Sequence, residues 1–62
     1  MNVYLGKNGK TYVVTFDDDG VVDTVHCDGV ALAATNRVVK QILNNADMIL
    51  RGFIPHGFER AK

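Results

Sequence analysis

Three consecutive residues, His26, Cys27 and Asp28, carry the groups of a thiol-based catalytic set. A cysteine nucleophile needs a base within hydrogen-bond reach of its sulfur. We expect this stretch to be a strand, in which neighbouring side chains point to opposite faces, so His26 cannot easily reach Cys27. The other histidine, His56, lies near the opposite end of the chain. A structural role is therefore favoured for these side chains, and we predict that the protein is not an enzyme.

Several aspartates are spaced almost as in a calcium-binding loop that begins at Asp17. Position six of that loop needs glycine for a sharp turn, but Val22 stands there. One cysteine and two histidines without paired spacing do not form a typical zinc site either. We therefore expect neither a metal ion nor another cofactor.

Gly9-Lys10-Thr11 matches the last residues of a phosphate-binding loop. The complete motif needs a glycine five residues before Gly9, where Tyr4 stands, and a helix after it. A strand pattern follows instead, so we do not expect phosphate binding at this turn.

Positive and negative side chains are segregated along the chain, although the net charge is zero. Five aspartates and no basic residue lie within 17–28, whereas residues 29–62 carry a net charge of +3. Turns collect aspartate for conformational reasons, but an acidic turn would also suit a basic protein surface. The candidate residues of this acidic turn are Asp17, Asp18 and Asp19.

The elements that must position these groups include one long helix. Residues 31–50 are the only segment with enough length and periodicity, because apolar residues recur there at intervals of three and four. This spacing predicts one apolar stripe that covers a core. Its members are Val39, Ile42, Ala46, Ile49 and Phe53.

The ends of the helix are marked unequally. Asp28 or Thr35 could cap its start, and we favour the earlier start because good helix formers follow Val30. Gly52 suits a left-handed cap, which would fold Phe53 back towards Met48, and a proline follows three residues later. The helix is therefore predicted over about 30–51.

Two strands, about 2–6 and 10–16, flank Asn8-Gly9, which is the strongest short hairpin signal. A two-residue turn there pairs Lys7 with Lys10 and fixes the register of both strands. One face then presents apolar residues to the helix, namely Met1, Val3, Leu5, Tyr12, Val14 and Phe16. The opposite face holds Asn2, Tyr4, Thr11, Val13 and Thr15.

A third strand is predicted over about 21–27, and two arguments disagree about its register. A type I turn with Gly20 left-handed pairs Asp17 with Val21 and directs Val22, Thr24 and His26 to the core. A two-residue Asp19-Gly20 turn directs Val21, Val25 and Cys27 there instead, with Asp23 among them. Burial favours the second arrangement, which we predict, and turn chemistry favours the first. A slip of one residue reverses every side chain.

These elements predict one small α+β domain over residues 1–62. Its fold is a three-stranded antiparallel β-meander packed on one face by a single C-terminal α-helix, in the order β-β-β-α. In the tail, 53–62, Ile54 and Phe58 should tuck against the body while residues 59–62 fray. The lone Cys27 and the absence of a signal-type or membrane-spanning apolar run predict a cytoplasmic protein.

One helix can cover only one face of the sheet, so the other face is predicted to bind protein. We expect a homodimer or a protein partner with a basic surface. Small proteins without a catalytic set are common among phage and mobile-element products that inhibit a host protein by surface contact. The alternative is a small nucleic-acid-binding transcriptional regulator, which would need a positive face. The candidate binding residues are Tyr4, Val13, Thr15, Asp17, Asp18 and Asp19.

Overall fold

The computed structural model describes residues 1–61 and shows an α+β fold built on one antiparallel sheet. The α+β class is as predicted, but five strands and two short helices replace three strands and one helix. The strand order in the described part of the chain is β4-β3-β2-β1-β5. The elements are β1 (Asn2–Lys7), β2 (Lys10–Phe16), β3 (Val22–Cys27), β4 (Val30–Ala31), α1 (Arg37–Asn44), α2 (Ala46–Leu50) and β5 (Glu59–Arg60).

The β1–β2 hairpin has the predicted register. Lys7 pairs with Lys10, and the ladder continues to Asn2 opposite Thr15. Asn8 and Gly9 have φ angles of 53° and 77°, as a type I′ turn requires. The paired strands alternate so that Leu5 is buried on one face while its neighbours lie on the other.

The β2–β3 connection satisfies both sequence arguments through a β-bulge. The turn is the first alternative, because the Asp17 amide donates to the Val21 carbonyl over 2.9 Å and Gly20 has a φ of 78°. Thr15 then pairs with Thr24 while Phe16 pairs with Val22, which leaves one extra residue on β3.

This bulge decides which side chains of β3 reach the core. Beyond it, Val25 is buried and Cys27 packs against the core, as the second alternative predicted. Before it, Val22 packs against the core and Val21 is 59% exposed, so the prediction for Val21 is wrong. The extra residue is Asp23, which is exposed, so its predicted place on the core face is also wrong.

The predicted start of the helix at about residue 30 is wrong. Asp28 and Gly29 have φ angles of 52° and 82°, which form a second two-residue hairpin turn. The chain therefore returns as β4, with Val30 opposite Cys27 and Ala31 opposite His26. An Asp-Gly turn after a strand outweighs the helix propensity of the alanines that follow it.

Helix α1 begins later than either predicted cap. Asn36 is its N-cap, and the Asn36 side-chain oxygen accepts from the amides of Val38 (2.9 Å) and Val39 (3.3 Å). A break at Asn45 separates α1 from α2, and the Asn45 side-chain amide donates to the Gln41 carbonyl over 2.8 Å. Asparagine competes for backbone groups in this way, which lowers its helix propensity.

The end of α2 is the predicted glycine cap. Gly52 has a φ of 95°, and its amide donates to the Ile49 carbonyl over 3.0 Å. The Phe53 amide donates to the Met48 carbonyl over 2.9 Å, which completes a Schellman motif.

Both helices contribute to the core on one face of the sheet. Of the predicted stripe, Val39, Ile42 and Ile49 are buried and Ala46 packs at the margin, whereas Phe53 is 59% exposed. The other buried hydrophobic side chains come from alternate positions of the strands: Leu5, Tyr12, Val14, Phe16 and Val25.

The C-terminal segment forms a strand where a frayed tail was predicted. Glu59 pairs with Gly6 and Arg60 with Leu5. The Lys7 ammonium lies 4.9 Å from the centre of the Phe58 ring, a cation–π contact that fastens this segment to β1. Phe58 and Ile54 pack against the core, as predicted. The prediction of fraying at Lys62 lies outside the described residues.

Candidate protein-binding surface

The candidate surface is the outer face, by which we mean the face of the sheet opposite the helices. Tyr4, Val13 and Thr15 all lie on it and are half-buried. Tyr4 is directly opposite Val13, and Thr15 lies between Asn2 and Thr24 on the neighbouring strands. The fold therefore brings together the three strand residues that the sequence nominates.

A row of small, apolar and aromatic side chains crosses the middle of the outer face. The pairing registers align Ala31 with His26, His26 with Val13, and Val13 with Tyr4. The Ala61 amide donates to the Tyr4 carbonyl over 3.3 Å, which extends the row beyond β5. We call this the central row, and its members are Ala31, His26, Val13, Tyr4 and Ala61.

The strands β1–β5 place no lysine or arginine on the outer face. Lys7 and Lys10 pair with each other, and Arg60 pairs with buried Leu5, so alternation directs all three to the helix side. Glu59 pairs with Gly6 and is directed to the outer face. The described strands therefore offer no lysine or arginine on this face to a phosphate backbone.

The three aspartates of the acidic turn differ in their hydrogen bonding, since only the Asp17 side chain bonds to the backbone of the turn. The Asp17 carboxylate accepts from the amides of Asp19 (2.9 Å) and Val21 (3.0 Å), so it holds the turn together. Asp18 and Asp19 are exposed, and the turn uses neither of their side chains as a hydrogen-bond acceptor. Asp18 and Asp19 are therefore the aspartates whose charge the turn does not need.

The residues of the possible thiol catalytic set are separated by the sheet. His26 belongs to the central row, while Cys27 packs against the core on the helix side. Burial raises the pKa of Tyr12, which is the strand partner of Cys27, and the nearby Cys27 thiol and Asp28 carboxylate raise it further. Within residues 1–61, no three His, Cys, Asp or Glu side chains are grouped so as to hold a metal ion.

Sequence reasoning missed His26, Ala31 and Ala61 as members of the outer face. For His26 and Ala31 the signal was present, because Asp28-Gly29 as a two-residue turn places Ala31 opposite His26. Ala61 carries no comparable signal, since its position depends on pairing between β1 and a distant segment.

Comparisons with known proteins identify no similar protein. The chain matches no protein-family model, and the searches of curated proteins and of solved structures find no match either. Among the described residues, no helix has the length and apolar character needed to span a bilayer.

Proposed function

We propose that this protein is a non-enzymatic protein-binding module whose outer face binds a second copy of the chain. The observation that carries the proposal is the central row, which crosses five adjacent strand positions on a face that no helix covers. A face without cations and with few charges can meet its own copy without strong like-charge repulsion. Two such faces packed together would bury His26, Val13 and Tyr4 at their centre.

The size of the outer face sets the strength of this association. The three long strands, spaced about 4.8 Å apart and about 20 Å long, cover roughly 280 Å², and the two-residue strands β4 and β5 add roughly 70 Å². Each copy would bury on the order of 350 Å², or about 700 Å² for the pair, below the size of most stable specific interfaces. We therefore expect a weak dimer that forms at micromolar concentration.

The same surface would let the module act on other proteins by contact alone. Asp18 and Asp19 lie at the end of the β2–β3 hairpin, where they would meet basic residues of a partner at the margin of the interface. An inhibitor of the type made by phages and mobile elements would work in this way. We place the module in the cytoplasm, where a single unpaired thiol is stable.

Sedimentation velocity of the parent chain and of two matched variants tests the proposal. Val13→Lys puts a charge at the centre of the outer face and should give a monomer. Val21→Lys makes the same change at a valine that is 59% exposed in the turn, and should leave the dimer intact. A parent chain that stays monomeric at several hundred micromolar would overturn the proposal, as would equal behaviour of the two variants.

A further inference from the structure

A second surface lies at the edge of the sheet on the helix side. An open groove of about 250 Å³ runs between the first residues of β1 and the segment that follows α2. Ile49 forms part of its lining and is 1% exposed, while Met1 and Phe53 line it with 63% and 59% of their surfaces exposed. We call this the end groove.

The two exposed apolar residues are held in place by the backbone. Phe53 follows the Schellman motif at Gly52, and its amide is bonded to the Met48 carbonyl. Met1 exchanges two hydrogen bonds with Phe16, over 2.8 Å and 3.1 Å. Large exposed apolar side chains that adjoin a groove are typical of a binding site for another molecule.

Beside this groove, no described residue pairs with the edge of β1 at Asn2. The backbone amide and carbonyl groups of Met1 bond to β2. In an antiparallel strand these groups point alternately to one side and the other. The backbone groups of Asn2 therefore point away from β2. Among residues 1–61, the pairing of β5 with β1 extends to Leu5, and the Ala61 amide adds one bond to the Tyr4 carbonyl. Asn2 can therefore pair with an added strand.

The charged side chain that lines the end groove is positive. Among the described lining residues it is Arg60 alone, and one Arg60 nitrogen donates to the Gly52 carbonyl over 3.3 Å. No carboxylate side chain is among the described residues that line the groove. The Arg60 guanidinium therefore complements a carboxylate on the molecule that binds.

The volume of the end groove limits what can occupy it. Small-molecule pockets usually measure roughly 300–1,000 Å³, and this groove is smaller, at about 250 Å³. Together with the open backbone at Asn2, this size fits one or two large side chains of an extended peptide.

We propose that the end groove binds an extended segment of a partner protein, in which a large apolar residue lies next to an aspartate or glutamate. The segment adds a short strand beside Asn2, places its apolar side chain between Met1 and Phe53, and directs its carboxylate to Arg60. The end groove opens on the helix side of the sheet, and of its lining it shares Asn2 and Tyr4 with the outer face.

Selection of random 12-residue peptides against the immobilised full chain tests this assignment. Enriched peptides should share a large apolar residue adjacent to an acidic one. A fluorescent copy of the most enriched peptide should bind Phe53→Ser at least tenfold more weakly than the parent. Val30→Ser, made at an equally exposed apolar residue elsewhere, should bind like the parent. Arg60→Gln should lose the preference for the acidic residue.

Three results of the peptide experiments would overturn the assignment. They are the absence of any enriched peptide, enrichment without an apolar–acidic pair, and equal binding by Phe53→Ser and Val30→Ser. Circular dichroism of each variant shows whether it is folded, and peptide-induced shifts of the Asn2, Phe53 and Arg60 amides in the parent chain locate the site without any substitution. Shifts confined to the outer face would also contradict it.

Discussion

The outer face and the end groove differ in the way they could attract a partner. The outer face is broad and almost free of charge, and its central residues Tyr4, Val13 and His26 are already half-buried. The end groove is small and cationic, and it carries Met1 and Phe53, two of the most exposed large apolar side chains of the described chain. The comparison shows that the uncovered face of a sheet need not carry the most exposed apolar side chains. The ends of strands and helices, as at Met1 and Phe53, can expose larger ones.

Both surfaces depend on the same core, so the largest expected effect comes from removing part of it. Ile42 is fully buried, and Ile42→Ala should cost roughly 2–5 kcal/mol, a large part of the stability of so small a domain. Leu43→Ala, at a neighbouring residue that is 42% exposed, should cost less, about 1 kcal/mol. Urea titration of both variants checks this, and similar losses would show that the two side chains are buried alike.

The next effect separates the aspartates of the acidic turn. Asp17→Ala removes the acceptor of two backbone amides and should cost about 1 kcal/mol, whereas Asp18→Ala should change stability by less than about 0.5 kcal/mol. Asp17→Asn keeps an acceptor oxygen and should restore most of the loss. Chemical denaturation measures all three, and equal stability of the two alanine variants would contradict the structural role of Asp17.

The two tyrosines lie on opposite faces of the sheet, which makes their ionisation a probe of the two sides. Burial raises the pKa of Tyr12, so the unfolded chain releases this proton before the folded chain does. Stability should therefore fall as pH rises past the ordinary tyrosine value of about 10. In Tyr4→Phe, absorbance near 295 nm reports Tyr12 alone, and a midpoint at or below that ordinary value would refute the prediction.

The smallest expected change concerns the charge of the turn. Replacing Asp18 and Asp19 by asparagine keeps residues that suit turns, so stability should hold within about 0.5 kcal/mol. Association with a basic partner should slow and lose part of its salt dependence, because charges at the margin act mostly on the association rate. Unchanged kinetics across a range of salt would leave turn preference as the reason for these aspartates.

Local signals in the sequence predicted the parts of the fold that depend on neighbouring residues. Asn8-Gly9 gave the correct register of β1 and β2, and Gly52 gave the correct end of α2. The helix was wrongly predicted to include residues 30–36 because the helix propensity of the alanines was given more weight than the turn signal of Asp28-Gly29. Both signals are present in the sequence. The register of β3 changes at a bulge. Neither the turn chemistry nor the burial pattern predicts that bulge when each is considered alone.

The candidate surfaces were predictable to different degrees for the same reason. Tyr4, Val13 and Thr15 follow from the alternation of one hairpin, so the sequence places them correctly on the outer face. The end groove depends on β5 pairing with β1 across more than fifty residues, and no local pattern encodes that contact. Phe53 was predicted to belong to the apolar stripe, but it is exposed because the Schellman motif turns the chain away from the helix axis before it.

The pairing of β5 with β1 has a consequence for the order in which the fold forms and opens. The three hairpins join residues close in sequence, whereas β5 must close a long loop before it gains any contact. We expect it to dock last and, with only two paired residues, to open first. Amide hydrogen exchange should then be faster at Ala61 than at the β2 amides bonded to β1. Each opening would leave the edge of β1 without β5.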